Sequence, residues 1–563
     1  AGIDRIAAWF LAILVASFIL EYAQMWTLQM TGQRIMFDLR MQLYRHLQRI
    51  DLQFYDRNPV GRLMTRVTTD VDVINDMFTS GVVSIFGDIF TLLGIMIVLV
   101  WMDWRLAVVA FAVLPLIWLV TQWFRRNVRE SYRTVRTWVA RINAVLQEHI
   151  TGMSTVQLFR RESRSFDKFE AVNRRHRDAN IDSIFFYAVF YPAVEIIGAL
   201  ASALIIWFGG RWTLQGTLTL GSLVAFLLYS GRFFRPISDM SEKFNVLQAA
   251  MASSERIFKL LDTPVHIQTR AAGEGAPGTA AGRPAPAQTT PPEPGTGGHI
   301  VFDHVWFAYN TAPGEESDYV LRDVSFEVRP GERVGVVGAT GAGKSTLINL
   351  LLRFYDVSRG RILVDGEDLR SLDLGRLRAL FSLVLQDVHL FSGTIGANIR
   401  LGHGGITDEE VRAAARAVHA DRFIDRLPQG YDSPVAERGA TLSVGQKQLL
   451  SFARALAFNP RILILDEATS SVDTETEMLI RDALAVLMAG RTTIAIAHRL
   501  STIQDMDKIL VLHKGQLRES GRHQDLLAQR GIYYTLYQLQ YRDQEGRIEP
   551  GSGTEIGEPV RSD

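Results

Sequence analysis

Hydrophobic residues gather into five long runs in the first part of the chain. With their flanks, these runs are long enough to cross the roughly 30 Å hydrocarbon core of a bilayer as helices. They lie at about Ile6–Ala23, Val82–Trp101, Leu106–Thr121, Ile184–Gly209 and Leu218–Tyr229. We therefore predict an all-α polytopic membrane domain, which we assign to residues 1–262.

The segments between these runs keep a helical spacing of hydrophobic residues. In residues 30–78 and 122–183 the repeating residues are Leu43, Leu47, Ile50, and Val135, Val139, Ile142, Leu146. This amphipathic period predicts helices that continue well beyond the membrane. The alternative is a pair of ordinary solvated loops, although segments of about 50 residues are long for loops.

The distribution of arginine predicts which side of the membrane each segment occupies. Residues 30–78 and 122–183 carry many Arg residues, whereas 102–105 and 210–217 carry one each. Because positively charged loops stay in the cytoplasm, we place the long segments, and everything after the fifth run, inside the cell. The chain would then begin on the outer side. We expect a six-helix domain whose first helix is missing from this sequence.

The composition changes after the hydrophobic runs. Residues 263–298 are rich in Pro, Gly, Ala and Thr, which predicts a linker without a hydrophobic core. Beyond it, short β-branched runs such as Val334–Val337 and Ile462–Leu465 alternate with helical patterns, as in an α/β nucleotide-binding domain. We assign this domain to residues 299–541 and expect a disordered tail over residues 542–563.

Charge and cysteine content exclude some classes of function. Lys and Arg together number 60, as do Asp and Glu, so the formal net charge of zero gives no reason to expect a nucleic-acid partner. Cysteine is absent, which excludes disulfides and thiolate metal sites.

A glycine-rich segment follows the β-branched run Val334–Val337 and precedes the helical pattern Leu347–Leu352, which is the context of a phosphate-binding loop. Its glycines allow backbone N–H groups to surround the phosphates of ATP, and the helix N-terminus adds positive potential. Lys344 would neutralise the β- and γ-phosphates, and Ser345 would bind Mg²⁺. The expected ATP-binding residues of this loop are Gly338, Ala339, Thr340, Gly341, Ala342, Gly343, Lys344, Ser345 and Thr346.

Two carboxylates end the second β-branched run. Asp466 and Glu467 follow Ile462–Leu465 directly, which places both at the carboxyl edge of the expected sheet, where ligands bind. Asp466 would hold Mg²⁺ through water, and Glu467 would orient and polarise the attacking water. Two acids at a strand end can instead cap a helix, but the phosphate loop upstream favours catalysis.

With these motifs together, the chain resembles the ABC transporter family, and in particular exporters in which the membrane domain precedes the nucleotide-binding domain. The resemblance covers nearly the whole chain. It implies an ATPase that uses ATP and Mg²⁺ to drive translocation across a lipid bilayer. It also implies a second half-transporter as a partner, because ATP in this family is bound between two such domains.

The resemblance implies roles for further residues. Tyr309 matches the aromatic residue that stacks on adenine, Gln386 the glutamine that senses magnesium, and His498 the histidine that contacts the γ-phosphate. Ser443, Gly445 and Gln446 belong to a segment that resembles the family signature, whose helix N-terminus addresses the γ-phosphate held by the opposite subunit. Asp473 lies in a segment that resembles the one crossing the dimer interface.

The signature departs from the family pattern at Val444, where glycine is usual. A β-branched side chain restricts close approach of the backbone to a phosphate. Because signatures act across the dimer, the altered one would serve the partner's nucleotide, while Lys344, Glu467 and His498 of this chain match the pattern. We therefore expect a heterodimer with one active and one degenerate site. A homodimer that tolerates the variant is the alternative.

Exporters of this family transmit the closure of their ATP-binding domains through short helices in the cytoplasmic segments. The resemblance places two such coupling helices around Tyr55–Leu63 and Gly152–Phe159.

Two acids, Asp88 and Glu195, lie within the hydrophobic runs, where a charge is costly and usually faces a cavity or a partner. We hypothesise that they contact substrate, with an interhelical hydrogen bond by a protonated acid as the alternative. If they line a cavity, an amphipathic or cationic substrate is plausible, together with four aromatic residues: Phe185, Phe186, Tyr187 and Phe190.

The expected function is ATP-driven, multidrug-type export of hydrophobic or amphipathic substrates across the cytoplasmic membrane by alternating access. A lipid flippase or peptide exporter of the same fold is the alternative. An ATP-gated channel or regulator is a further one.

Overall fold

The computed structural model describes residues 2–267, 297–310, 318–466, 474–496 and 503–545. Most of the predicted linker lies outside these described residues, as do Glu467, Asp473 and His498 and the chain beyond Glu545.

The chain divides into two compact units. The first comprises Ala1–Gln48 and Val60–Thr263, and the second comprises Arg49–Pro59 and Pro264–Asp563. The short segment Arg49–Pro59 therefore belongs to the second unit, although helices of the first unit precede and follow it in sequence.

The described part of the chain before the linker is helical. Its α-helices are α1 Gly2–Leu47, α2 Leu52–Arg57, α3 Val60–Val67, α4 Thr69–Asp76, α5 Val83–Met102, α6 Trp104–Phe111, α7 Leu114–Thr151, α8 Met153–Leu158, α9 Glu162–Leu214 and α10 Leu220–Leu261. A π-helical turn, Met77–Val82, joins α4 to α5. Of these helices, α2 lies in the second unit.

Within the described residues, four helical stretches are long and apolar enough to cross a membrane. They are Gly2–Leu47, Val60–Met102, Trp104–Thr151 and Glu162–Leu214. The shorter apolar helix Leu220–Arg232 holds most of the fifth predicted run. The prediction of a helical domain with several apolar helices is confirmed.

Four of the described helices continue far beyond their hydrophobic runs. Helices α1, α7, α9 and α10 contain 46, 38, 53 and 42 residues. At 1.5 Å per residue they are roughly 57 to 80 Å long, about twice the bilayer core or more. The amphipathic segments are therefore helices as predicted, and the alternative of solvated loops is wrong.

Periodic small and apolar residues hold α9 against its neighbours. Its buried residues Ile197, Ala201, Ile205 and Gly209 recur every four positions and so share one face. A Cβ added to Gly209 would lie 2.6 Å from Leu223 Cδ1 of α10, so glycine permits this close helix approach.

The described residues of the second unit form three β-sheets. Its strands are β1 Ile300–Phe307, β2 Leu321–Val328, β3 Arg333–Val337, β4 Arg359–Val364, β5 Glu367–Asp368, β6 Phe381–Val384, β7 Gly393–Thr394, β8 Pro434–Val435, β9 Ile462–Asp466, β10 Thr492–Ile496, β11 Lys508–His513 and β12 Gln516–Gly521. The largest sheet has the order β12-β11-β3-β10-β9-β6, a second has β2-β1-β4-β5, and β7 pairs with β8.

Helices accompany these sheets. They are α11 Lys344–Leu351, α12 Leu374–Ala379, α13 Ile395–Arg400, α14 Asp408–Ala417, α15 Asp421–Ile424, α16 Val444–Ala457, α17 Thr474–Met488 and two C-terminal helices, His523–Gln529 and Ile532–Glu545.

The six-stranded sheet is buried on both faces. In β9, Ile462 and Ile464 pack in one hydrophobic cluster, whereas Leu463 and Leu465 pack in the other. Because side chains alternate between the faces of a strand, a continuous apolar run is required here. The predicted α/β class is confirmed.

The first predicted coupling helix needs a correction. The range Tyr55–Leu63 spans two helices, because α2 ends at Arg57 and α3 begins at Val60. Asn58 between them is extended, at φ −123° and ψ 112°, as expected for a residue that precedes proline. The second prediction agrees with α8, Met153–Leu158.

Candidate functional site

The central strands bring several predicted site residues to one edge of the six-stranded sheet. Strands β3, β10, β9 and β6 are parallel neighbours in that order. The phosphate loop follows β3, Asp466 ends β9, and Gln386 lies two residues beyond β6. Their strands therefore deliver them to the same carboxyl edge, where α/β sheets bind ligands.

Two glycines give the phosphate loop its shape. A Cβ on Gly338 would lie 2.3 Å from the carbonyl oxygen of Leu512, and Gly343 has a φ of +101° with space blocked by Leu321 at 2.6 Å. Both positions therefore exclude larger residues. The loop leads directly into α11, whose first residue is Lys344, so its N–H groups and helix dipole suit a polyphosphate.

Lys344 is the cation of this loop. It is only 8% exposed, and its Nζ donates hydrogen bonds to the carbonyl oxygens of Gly338 at 2.7 Å and Ala339 at 3.1 Å. Burial lowers the pKa of Lys344, and the nearby Asp466 carboxylate partly opposes this change. The ammonium is thus held inside the loop, where phosphate oxygens would replace the two carbonyls as acceptors.

Tyr309, two residues past the end of β1, is joined to this loop. Its hydroxyl lies 3.0 Å from the hydroxyl of Thr346, which is buried in the first turn of α11. Its ring packs edge-on against Phe307 and Tyr355, with centroid distances of 4.9 and 5.2 Å. The structure therefore brings the expected adenine-binding residue and the phosphate loop together.

The chemistry of the remaining donors suits Mg²⁺. Ser345 and Gln386 are exposed and Asp466 is half-buried, so the site offers one carboxylate, one hydroxyl and one amide. Mg²⁺ commonly takes few protein ligands and completes its shell with waters and phosphate oxygens. In keeping with this, the described residues contain no group of three or more His, Cys, Asp or Glu that could hold a metal.

The signature segment begins a helix, as predicted. Ser443 is the N-cap of α16; its hydroxyl oxygen accepts from the Gln446 backbone N–H at 3.2 Å, and the Gln446 side chain accepts from the Ser443 N–H at 3.0 Å. This capping box leaves the hydrogen of the Ser443 hydroxyl able to donate. Gly445 is buried, whereas Val444 is 54% exposed.

The structure also shows contacts that sequence reasoning missed. Tyr355, in the segment after α11, donates a hydrogen bond from its hydroxyl to Asp56 of α2. Gln53 of the same helix donates to the backbone carbonyl of Tyr309 at 3.0 Å. No local pattern marks these residues, because the contact partners lie more than 250 positions apart in sequence.

The two acids of the hydrophobic runs have different surroundings. Asp88 of α5 forms an ion pair with Lys243 of α10, in which both side chains are 22% exposed. Glu195 is exposed on α9. Among the predicted aromatic residues, Phe190 is 3% exposed and stacks on Phe124 of α7, so it packs between helices.

Two family models match the chain. The model for the ABC transporter transmembrane region matches residues 2–237. The model for the ABC transporter matches residues 321–470, which include the phosphate loop, Gln386, the signature and Asp466.

Individual relatives match almost the full chain. A probable multidrug resistance ABC transporter ATP-binding/permease protein of Bacillus subtilis is 39% identical, over 94% of this chain and 75% of its own length. A fatty acid ABC transporter ATP-binding/permease protein of Mycobacterium bovis is 38% identical, over 95% and 81%. An ATP-dependent lipid A-core flippase of Syntrophus aciditrophicus is 38% identical, over 94% and 84%.

A solved structure has the same fold. It is a bacterial Atm1-family ABC exporter with ATP bound, with a TM-score of 0.69 and 30% sequence identity, covering 93% of this chain and 87% of the other.

Proposed function

Because this chain belongs to the ABC transporters, as an ATP-hydrolysing exporter with its transmembrane and ATP-binding domains in one polypeptide, we propose that it exports hydrophobic or amphipathic substrates across the cytoplasmic membrane. The observation that carries this proposal is the phosphate loop with its buried Lys344, in a chain that also holds several membrane-length apolar helices. ATP binding would close the nucleotide-binding domains, and the membrane helices would alternate their access in response.

We assign the roles of the site residues from the motifs, and the contacts of Lys344 and Tyr309 support those of the phosphate loop and the adenine side. The phosphate loop from Gly338 to Thr346 binds the triphosphate, and Tyr309 packs against adenine. Ser345, Gln386 and Asp466 hold Mg²⁺, which neutralises phosphate charge when bound. Glu467 orients the attacking water, and His498 contacts the γ-phosphate.

We also propose how the chain assembles with a partner and where its domains begin and end. Ser443, Gly445, Gln446 and Asp473 act at the interface with a second half-transporter, and Val444 favours a partner that is not identical. We retain residues 1–262, 263–298, 299–541 and 542–563 as membrane domain, linker, nucleotide-binding domain and tail.

A lipid flippase is the second candidate. Two relatives that cover 94–95% of the chain at 38% identity are named for a fatty acid and for lipid A-core. Long apolar helices in a bilayer can lie beside a hydrophobic dye or beside a lipid. The test must therefore include both a drug-like dye and a lipid.

The test is ATP-driven accumulation in sealed vesicles that contain the chain and its partner. We expect a hydrophobic dye, or a labelled lipid, to move against its gradient with ATP, because a pump concentrates its substrate and a channel cannot. Glu467→Gln is expected to bind ATP normally but to lose hydrolysis and transport about 100-fold or more, since a positioned general base contributes 10²–10⁴-fold.

Two controls make the result decisive. Lys344→Ala should weaken ATP binding itself, whereas Glu477→Gln, on α17, should behave as wild type. Near-normal hydrolysis by Glu467→Gln would remove the assigned base, and equilibration without accumulation would indicate a channel.

A further inference from the structure

Helix α2 is anchored within the nucleotide-binding unit. The carboxylate of Asp51, which precedes α2, accepts hydrogen bonds from the backbone N–H groups of His266 at 2.9 Å and Ile267 at 3.1 Å. These residues and Arg49–Pro59 belong to the same compact unit. The position of α2 is therefore fixed by the unit that holds the phosphate loop.

From this position α2 contacts the backbone of Tyr309. The Gln53 side-chain amide and the Arg57 guanidinium both donate to the Tyr309 carbonyl oxygen, at 3.0 and 3.3 Å. A carbonyl oxygen has two lone pairs and can accept both bonds. Two side chains of one short helix thus hold the main chain from which the Tyr309 ring projects.

A second contact of α2 acts on the aromatic ring of Tyr309, through Tyr355. Asp56 accepts the hydroxyl hydrogen of Tyr355, whose side chain is buried at 6% exposure. Burial is the main cause of a raised pKa of Tyr355, and this hydrogen bond adds to it. The hydroxyl therefore stays protonated and donates. The Tyr355 ring in turn packs against the Tyr309 ring at 89° between planes. Asp56 therefore holds the Tyr355 ring in place against the Tyr309 ring.

The contacts of α2 described above involve Tyr309 and Tyr355, on the side of the site where we expect adenine. Lys344 is bonded to carbonyls of its own loop, and Gly343 and Gly338 are confined by Leu321 and Leu512. Tyr309 meets the loop through its hydroxyl, at Thr346. A change in α2 would therefore move Tyr309 while the phosphate-binding N–H groups keep their place.

We propose that Gln53, Asp56 and Tyr355 are positioning residues that set the affinity of the site for the adenine base, through Tyr309. This inference rests on the proposed role of Tyr309 as the adenine contact. It makes α2 a determinant of ATP affinity, in addition to any mechanical role that its position in sequence between α1 and α3 gives it.

The test compares two ligands on the full-length chain. ATP carries adenosine as well as phosphates, whereas inorganic tripolyphosphate carries only phosphates, so the ratio of their Kd values isolates the contribution of adenosine. For Asp56→Ala and Tyr355→Phe we expect the Kd of ATP to rise about three- to tenfold, which corresponds to the typical net contribution of one hydrogen bond, because the lost bond acts on adenine only through Tyr309. The Kd of tripolyphosphate should stay unchanged. Asp56→Asn, whose amide oxygen can still accept, should restore ATP binding.

Matched variants separate this effect from general damage. Tyr533→Phe removes the hydroxyl of another buried tyrosine of the unit, which bonds His523 at 2.6 Å, and should leave the ratio unchanged. Tyr309→Ala tests the premise, because it must weaken ATP but not tripolyphosphate. If it does not, the role of Tyr309 and this inference both fail. If it does, while Asp56→Ala and Tyr355→Phe leave the ratio at the wild-type value or weaken both ligands equally, the inference alone fails.

Discussion

In the signature segment, Val444 stands where the family pattern has glycine. The structure limits the ways in which this difference can affect the site. Val444 is the first residue of α16 and is 54% exposed, and the capping box between Ser443 and Gln446 is intact around it. Its backbone is helical, so the position has no need of glycine's conformational freedom. The change is steric: a branched apolar side chain stands at the helix N-terminus, where a phosphate of the opposite subunit would approach.

Replacing this side chain tests the proposed heterodimer. For the chain expressed alone, we expect Val444→Gly to raise ATP hydrolysis about tenfold or more, a change of only about 1.4 kcal/mol in the barrier. The reason is that each Glu467 site in a homodimer must use the altered signature. Val444→Ala should give an intermediate rate. Equal hydrolysis by wild type and Val444→Gly, measured as phosphate release, would argue for a homodimer that tolerates valine.

Among the elements, the antiparallel pair β1–β2 carries a charge contact that predicts a pH dependence. At an irregularity in their register, the His304 imidazole lies 2.6 Å from the Asp323 carboxylate. This hydrogen bond, together with the charge of Asp323, raises the pKa of His304. The contact therefore stabilises the sheet below the usual histidine pKa of about 6.5, and its contribution is lost as the pH rises through the raised value.

We expect His304→Asn to lower the Tm of the nucleotide-binding unit at pH 6 by a small amount, and to leave it unchanged at pH 9. Asparagine suits this position because His304 has a φ of +48°. The pair is exposed, so the difference should shrink in high salt. Thermal unfolding of the full chain at both pH values, with Asp323→Asn alone and combined, measures it. A Tm difference that persists at pH 9 would show that the substitution acts through the backbone instead.

How far the elements could be predicted depends on the range of the interactions that form them. The continuous apolar run Ile462–Leu465 and the helical period in Val135–Leu146 are local, and they predicted a buried strand and a long helix correctly. Pro59 is also a local signal, because proline interrupts a helix, and it explains why the predicted range Tyr55–Leu63 contains two helices. The docking of Gln53 on Tyr309 depends on residues 256 positions apart, and no local pattern carries that information. The motifs predicted which residues share the edge of the six-stranded sheet. They did not predict which residues hold Tyr309 beside the phosphate loop.

At the scale of the whole molecule, the Asp88–Lys243 ion pair changes the interpretation of the charges in the membrane domain. From sequence, Asp88 was a lone acid in a hydrophobic run and suggested a site for cations. In the structure its carboxylate is paired with an ammonium from α10, eleven residues beyond the apolar helix Leu220–Arg232. A paired carboxylate attracts a cation only weakly, because the two charges largely cancel at a distance. We therefore expect any selection of substrate by charge at this position to depend on both members of the pair.

This balance predicts a pattern across a set of four proteins. Asp88→Asn leaves the Lys243 ammonium uncompensated, so we expect it to reduce export of a cationic dye severalfold and to spare an anionic one. Lys243→Met should have the opposite effect. The double variant removes both charges and should return to the wild-type preference, because the net charge at this position is again zero. ATP-dependent accumulation of the two dyes in vesicles measures all four, and Glu195→Gln on α9, measured alongside, tests the second acid for which we hypothesise a substrate contact. If Asp88→Asn exports both dyes as wild type does, the pair is a structural link between α5 and α10, and the substrate does not sense its charge.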